Sequence, residues 1–531
     1  MDKIYYNGNI RAMDAEGSVC SAIGIEEGRI CFLGSDEEAL GLDAAERIDL
    51  AGKTVLPGLI DSHLHLLNYA FVKGSYRMGS ATSIAEIIEE GKRRIEAGLE
   101  EGVWLYGRGW NHDNFTDEQR FLTRFDLDQI STEVPILFIR NCGHVAAVNS
   151  LACEKVLASK GIEAYLDQID VEKGILTEAS VKSCYNVMAE PSVTRVKELI
   201  LGAQGDFAKC GITTIGSDNF LSLPGRNPYT IMQAFNELEE EGALTLRVQE
   251  QASFTCCEDL ATFLDRGYRA GGKGDFYSIG PVKLFQDGSL GARTARMNEP
   301  YDGTDTCGTI VHPQEELDEL VDLAYRSGMS LLVHAIGDKA SDMVMDAYQK
   351  AIDKHGRRDA RLAINHLQLV SEDLFDRMNE YDILAFIQPV FVASDKGMVA
   401  DLVGEERAGR SYAWKTMLDK GLILCGGSDA PVESFDVLEN VEIALTRDKI
   451  GECTEGWHPW EKLTIDEALR AFTIDNAYGM FLEDKLGSLE IGKLADLAVL
   501  SADPYETDPH RIHEIKVVRT VVGGKEVYVN E

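Results

Sequence analysis

Two histidines one residue apart, His63 and His65, end the apolar stretch Val55-Leu-Pro-Gly-Leu-Ile-Asp-Ser-His-Leu-His65. Pro57-Gly58 marks a turn, and the run after it reads as a short buried strand. Side chains alternate along a strand, so His63 and His65 share one face and Leu64 takes the other. Two imidazoles on one face can share a metal ion, because imidazole nitrogen is a good ligand for zinc and similar cations. Composition alone supplies an accidental His-x-His in roughly one such chain in five, so the pair needs corroboration.

Corroboration comes from the ends of later apolar runs. Pro281-Val-Lys-Leu-Phe-Gln-Asp-Gly288 carries Lys283, Phe285 and Asp287 on one face. Leu331-Leu-Val-His334 and Leu362-Ala-Ile-Asn-His366 each end in histidine, and Cys425-Gly-Gly-Ser-Asp-Ala-Pro431 carries Asp429. Each histidine taken singly reads as an ordinary core or surface residue. Together, four histidines, a lysine and an aspartate at the ends of one repeating element point to a metal site.

That element is a β-α unit. Between Leu56 and about Glu483, short apolar runs alternate with helical stretches such as Glu315–Ser327, Lys339–His355 and Glu372–Glu380. The eight runs are Leu59–His65, Ile212–Gly216, Leu244–Gln249, Ser278–Phe285, Ser330–His334, Arg361–His366, Ile383–Gln388 and Leu422–Gly427. Eight units predict an α/β chain with a (β/α)8 TIM barrel, whose chemistry sits at the C-terminal ends of its strands. Short strands at both termini predict a small β-sandwich domain built from 1–56 and 484–531. The barrel then comprises 57–71 and 193–483. About 145 residues separate the first two runs, far more than a barrel connection needs, so 72–192 is expected to be an inserted α+β subdomain over the active site.

The chain resembles the metal-dependent amidohydrolases, and most of all their YtcJ-like (amidohydrolase 3) branch, which includes N-substituted formamide deformylases. The resemblance spans nearly the full length. It rests on Leu56–His65, Val282-Lys-Leu-Phe-Gln-Asp-Gly-Ser-Leu-Gly291, His334-Ala-Ile-Gly-Asp338, Gly427-Ser-Asp-Ala-Pro431, Gly487–Leu497 and, in the inserted region, Gly143-His-Val-Ala-Ala-Val-Asn-Ser150. It implies that His63, His65 and Asp429 bind one divalent metal, zinc for preference, and that His334 and His366 bind a second or complete the site. Lys283 matches a position where many members carry a lysine carbamylated by CO2, which bridges two metals. A salt-bridged or neutral Lys283 beside a single metal is the alternative.

The expected reaction is hydrolysis of a non-peptide, amide-type C–N bond by a metal-activated water, with Asp429 as general base and then proton donor to the leaving nitrogen. Ring deaminases of the superfamily usually carry an acid three residues after the fifth-strand histidine. Gly337 stands there, with Asp338 one further on, which lowers deamination below amide hydrolysis. Asp338 is read either as a group orienting a ligand or as a helix cap. His144, Trp110, His112 and Asn149 of the insert are candidate substrate contacts, with Asp287, Arg293 and His458 behind them. For Trp110 a place in the insert's own core is the competing role. Phe285 and Trp110 favour a partly apolar substrate, an N-aryl or N-alkyl amide. A catalytically silent ligand-binding relative, and a lactone or carbamate hydrolase on the same site, are the rival readings.

The formal charge of −37 (52 basic against 89 acidic residues) repels phosphate backbones and anionic membranes, so nucleic acid is not an expected partner. The expected partner is a small-molecule substrate, with a homodimer left open. No run approaches a membrane span, and Met1–Gly8 lacks a basic stretch followed by an apolar one. The 11 cysteines are scattered without a Cys-x-x-Cys pair, which suits reduced thiols in a cytoplasmic protein.

Overall fold

The computed structural model describes residues 1–98, 103–142 and 144–530, in two compact units. The first comprises Met1–Leu66, Gln204–Asn219 and Phe235–Glu531, the second Leu67–Ala203 and Phe220–Ala234.

Eight parallel strands organise the first unit: β1 (Leu59–Leu64), β2 (Ile212–Ser217), β3 (Arg247–Ser253), β4 (Tyr277–Phe285), β5 (Leu331–Ala335), β6 (Ala363–His366), β7 (Leu384–Ile387) and β8 (Leu424–Gly426). Each pairs with its neighbours in chain order, as expected of a (β/α)8 barrel. The ring is drawn together where β1 and β8 meet. Asp429 N–H donates to His63 O at 2.8 Å and His65 N–H donates to Ala430 O at 2.8 Å. Asn476, wholly buried, donates through Nδ2 to Ile60 O (2.6 Å) and Gly426 O (2.8 Å), clasping the first strand to the last.

The crossover helices follow from their sequences. Gln314–Arg326 turns Leu317, Leu320, Val321 and Ala324 inward at helical spacing. It carries Glu315 and Glu316 in its first turn and Arg326 in its last, as the helix dipole favours. Asp338–His355 likewise runs from Asp338 to Lys354 and His355, and stops at Gly356 with φ of 87°.

β3 departs from expectation. It runs to Ser253 rather than ending at Gln249, because its second half, Glu250-Gln251-Ala-Ser253, is polar yet buried. An apolar-run criterion stops too early there.

The two ends of the chain form two further sheets in this unit. One orders the strands Arg29–Gly34, Ala22–Glu26, Lys3–Tyr6 and Glu46–Asp49. The other orders Lys525–Val529, Val517–Val522, Leu497–Leu500, Thr54–Pro57, Asn9–Arg11 and Val19–Cys20. Tyr5, Ile23 and Ile30 from the first pack with Ile10, Val55, Leu497 and Val521 from the second in one apolar core.

The second unit spans residues 72–192, where an insertion is expected. Its six-stranded mixed sheet orders Ile169–Asp170, Ile175–Thr177, Val145–Val148, Ile136–Arg140, Leu105–Trp110 and Tyr76–Arg77. One core gathers Tyr106, Leu137, Ile139 and Val148, the other Leu105, Ile136 and Phe138, as alternation along each strand requires, and a register shift between Arg108 and Trp110 brings Trp110 into the second. The expected helix Ser83–Glu100 is seen as Ile84–Glu96, and residues 99–102 and Gly143 lie outside the described residues. No helix among the described residues is long and apolar enough to cross a membrane.

Candidate metal centre

β1 delivers its histidines as period-2 alternation dictates. Asp61 and His63 point inward, and His65 follows just past the end of the strand. Asp61 Oδ1 accepts from His63 N–H and Ser428 N–H, both at 3.1 Å, tying the β1 backbone to the loop after β8. Burial pushes the Asp61 carboxyl up to about 7.

That loop carries Asp429 in the left-handed region, with φ of 59°. His366 is also left-handed, at 85°. Such backbone costs a non-glycine residue about 1–3 kcal/mol and concentrates at functional sites. Asp429 Oδ1 lies 3.2 Å from His63 Nε2 and 3.0 Å from His65 Nε2. Burial alone would raise the Asp429 carboxyl, but the close approach of the His63 and His65 imidazoles holds it well below the usual carboxylate range. Ligand atoms of His63, His366 and Asp429 all fall within 4.8 Å of one another, a spacing that one cation can bridge.

His334 and His366 stand at the ends of β5 and β6 with ring centroids 4.4 Å apart, and His366 is 5.9 Å from His63 by the same measure. His334 Nε2–H donates to Gly288 O at 3.0 Å and lies 3.4 Å from Asp287 Oδ1, which leaves Nδ1 as its free lone pair. Burial first, then the charge of Lys283, brings His63 down to about 4. Burial and His334 lower His366 well below the ordinary histidine value. Both are neutral imidazoles, the form that binds metal.

Lys283, near the end of β4, is completely buried. Its Nζ has no hydrogen-bond partner among the described residues and lies 5.1 Å from the Phe285 ring centroid. Burial lowers its pKa to about 8, against the opposing pull of Asp218 and Asp429. A buried amine without a partner, beside three imidazoles and a carboxylate, is explained by a cation or by a modification that makes the nitrogen a ligand arm. The donor set therefore fits a divalent metal, with His63, His366 and Asp429 as the clustered candidate ligands and His65 beside Asp429.

The structure also identifies groups that sequence reasoning missed. Gln251 Oε1 is 2.6 Å from His63 Nδ1. Asp218 O is 3.2 Å from His65 Nδ1, and Gln388 Oε1 is 2.8 Å from His366 Nδ1. Gln388 was findable, since it directly follows a strand already assigned to the barrel. Gln251 lay beyond the point where apolarity ended β3.

Other candidates have different surroundings. Trp110 has no exposed surface and donates Nε1–H to Phe138 O at 3.0 Å, so it is a core aromatic of the second unit and presents no face to a substrate. Asn149 is equally buried. It caps helix Ser150–Leu157 through Ala152 N–H, accepts from Ile136 N–H, and donates to Ser131 O and Val134 O, which uses its whole amide. His144 is exposed, 3.0 Å from Glu178. His112 packs edge-on against Phe121, with centroids 4.7 Å apart. Asp287 accepts from the backbone of Arg296, Ile336 and Gly337, so it organises the loop after β4. Arg293 is exposed and left-handed. Asp338 is the first residue of its helix, after a Gly337 cap that uses no side chain, and it accepts from Asn298 N–H and Lys339 N–H. His458 stacks between Trp457 and Trp460.

Residues 46–528 match the model of the Amidohydrolase family. The chain is 32% identical over 542 residues to the putative amidohydrolase YtcJ of Bacillus subtilis (strain 168), covering 99% of each. It is 28% identical to an N-substituted formamide deformylase of Arthrobacter pascens, over 98% of this chain and 97% of that one. Among solved structures, an uncharacterized metal-dependent hydrolase from Pyrococcus horikoshii OT3 superposes with a TM-score of 0.82 at 29% identity, covering 96% of this chain and 99% of the other. With its eight-stranded barrel and the histidines and aspartate gathered at its strand ends, the chain belongs to the amidohydrolase family, in its YtcJ-like branch.

Proposed function

We propose that this protein is a metal-dependent hydrolase of non-peptide, amide-type C–N bonds, with Asp429 as the catalytic base. The observation that carries the proposal is the Asp429 carboxylate, held within 3.0–3.2 Å of two imidazole Nε2 atoms on left-handed backbone. A divalent cation, zinc by the chemistry of these donors, supplies Lewis acidity when bound, polarising the carbonyl and acidifying water.

The chain's own residues then handle the proton. Asp429, ionised throughout the neutral range, accepts a proton from the attacking water as its oxygen bonds to the carbonyl carbon. The same proton passes from Asp429 to the nitrogen as the C–N bond breaks, releasing an amine and a carboxylic acid. His63 and His366, both neutral imidazoles, and His65 beside them hold the centre. For Lys283, reaction of the neutral amine with CO2 forms an Nζ–C bond, releases a proton and creates two anionic oxygens where a buried amine otherwise has no partner.

The match to a formamide deformylase, together with Phe285 beside Lys283, directs the substrate proposal to N-substituted formamides and related N-aryl or N-alkyl amides. The test is turnover of such formamides, acylated amino acids, hydantoins and lactones by zinc-loaded protein. Asp429→Asn is expected to reduce kcat by about 10²–10⁴-fold, the usual worth of a positioned base, while the protein stays folded. A fully active Asp429→Asn variant refutes the assignment, and lactone turnover without amide turnover moves the substrate class.

A further inference from the structure

We infer that Gln251 and Gln388 are positioning residues that decide which nitrogen of His63 and of His366 is offered to a cation. The inference rests on the metal-centre reading above and extends it to two residues that touch no metal.

A neutral imidazole carries one proton, and its other nitrogen is the ligand. Which nitrogen is which is set by the partner of the protonated one. For His63 the hydrogen-bond chain admits one arrangement. Gln251 Nε2 donates to Ser62 O at 2.7 Å, and a backbone carbonyl only accepts. The other end of the same amide, Oε1, must therefore face His63 Nδ1 at 2.6 Å, so Nδ1 carries the hydrogen. The lone pair is left on Nε2, the atom turned toward Asp429. Gln251 is 2% exposed, so water does not substitute for it.

His366, at the end of β6, also faces a buried amide. Gln388 Oε1 accepts from its Nδ1 at 2.8 Å, and Gln388 Nε2 is anchored on Asn365 Oδ1 at 3.0 Å. Asn365 Nδ2 lies 2.9 Å from His366 Nε2, so in the metal-free protein it donates to the lone pair that a bound cation would take instead. Gln388 is likewise 2% exposed. Two amides, on β3 and just after β7, thus face Nδ1 of two histidines and leave Nε2 as the nitrogen each ring would offer to a cation.

The choice of amide over carboxylate has a chemical consequence. A carboxylate accepting from Nδ1–H would add negative charge beside the ligands. The amides fix the tautomer while adding none, so Asp429 and a modified Lys283 remain the sources of anionic charge among these groups, and a bound cation keeps more of its field for the substrate.

The experiment measures two things on the full-length protein. The first is the tautomer of His63 and His366 in metal-free protein, from long-range nitrogen–proton NMR correlations. The second is zinc affinity, by competition with a chromophoric chelator. In wild type both rings are expected as the Nδ1–H form. Gln251→Leu is expected to give His63 a mixture of tautomers and to weaken zinc about 10–100-fold, with Gln251→Glu returning both toward wild type. Gln388→Leu is expected to do the same for His366 and serves in place of Gln251→Leu should that variant fail to fold. A folded Leu variant with an unchanged tautomer and unchanged zinc affinity overturns the inference. Failure of wild type to bind zinc would overturn the metal reading, while the metal-free tautomer measurement still judges the two glutamines.

Discussion

Replacing Asn476 by alanine tests whether the meeting of β1 and β8 supports the centre. Asn476 is wholly buried, and its Nδ2 gives one hydrogen to Ile60 O at 2.6 Å and the other to Gly426 O at 2.8 Å. Alanine removes both. A buried hydrogen bond contributes about 1 kcal/mol net, and a buried carbonyl left without its donor adds about 1 kcal/mol or more. The vacated amide volume adds a similar amount. The sum is about 3–4 kcal/mol, a large fraction of the 5–15 kcal/mol typical of a folded domain. Aspartate is the sharper variant, since it has the same shape but sets carboxylate oxygens against two carbonyls and is expected to cost more. The assay is urea unfolding followed by far-UV circular dichroism, with zinc content measured on the folded fraction. Because β1 carries His63 and the loop after β8 carries Asp429, zinc occupancy should fall together with stability. A loss below about 1 kcal/mol in the alanine variant, with zinc content intact, would refute the reasoning.

Two further outcomes are expected. A Cβ on Gly216 would overlap Ser62 O and crowd Gln251 Nε2, so Gly216→Ala should destabilise the barrel by about 2–4 kcal/mol and disturb the His63 tautomer, read by urea unfolding and NMR. His458 has its pKa lowered to about 4 by burial and then by Arg447, so the unfolded chain takes up a proton near pH 6.5 that the folded state refuses. The stability this group contributes is complete above pH 6.5 and is lost as pH falls toward 4. It amounts to about 1–2 kcal/mol after allowance for its partial exposure, and His458→Phe should flatten the urea midpoint between pH 7 and 5 relative to wild type.

The barrel was legible because parallel strands buried on both faces are written as apolar runs, and the candidate ligand histidines stand at the ends of those runs. His334 and His366 needed no contact information to be found, and Gly427-Ser-Asp429 announced itself by glycines after an apolar strand. β3 was misread for the opposite reason. Its inward side chains are Gln249, Gln251 and Ser253, a polar alternation that resembles a loop until the strands around it are known. Trp110 and Asn149 failed differently. An indole in the core of an insert and one in a binding pocket look the same in sequence, because what separates them is the carbonyl of Phe138, 28 residues away. Asn149-Ser150 before a helical stretch did carry an N-cap signal, and that mundane role is the one observed.

The partners that meet at the centre are far apart along the chain: His65 and Asp429 are separated by 364 positions. As the polypeptide leaves the ribosome, its first two imidazoles emerge long before the carboxylate that completes them. A nascent chain halted anywhere before Asp429 therefore carries the candidate histidines without the carboxylate that meets them. On the proposed reading, the centre is therefore completed late in synthesis, and a product truncated before Asp429 lacks the proposed base.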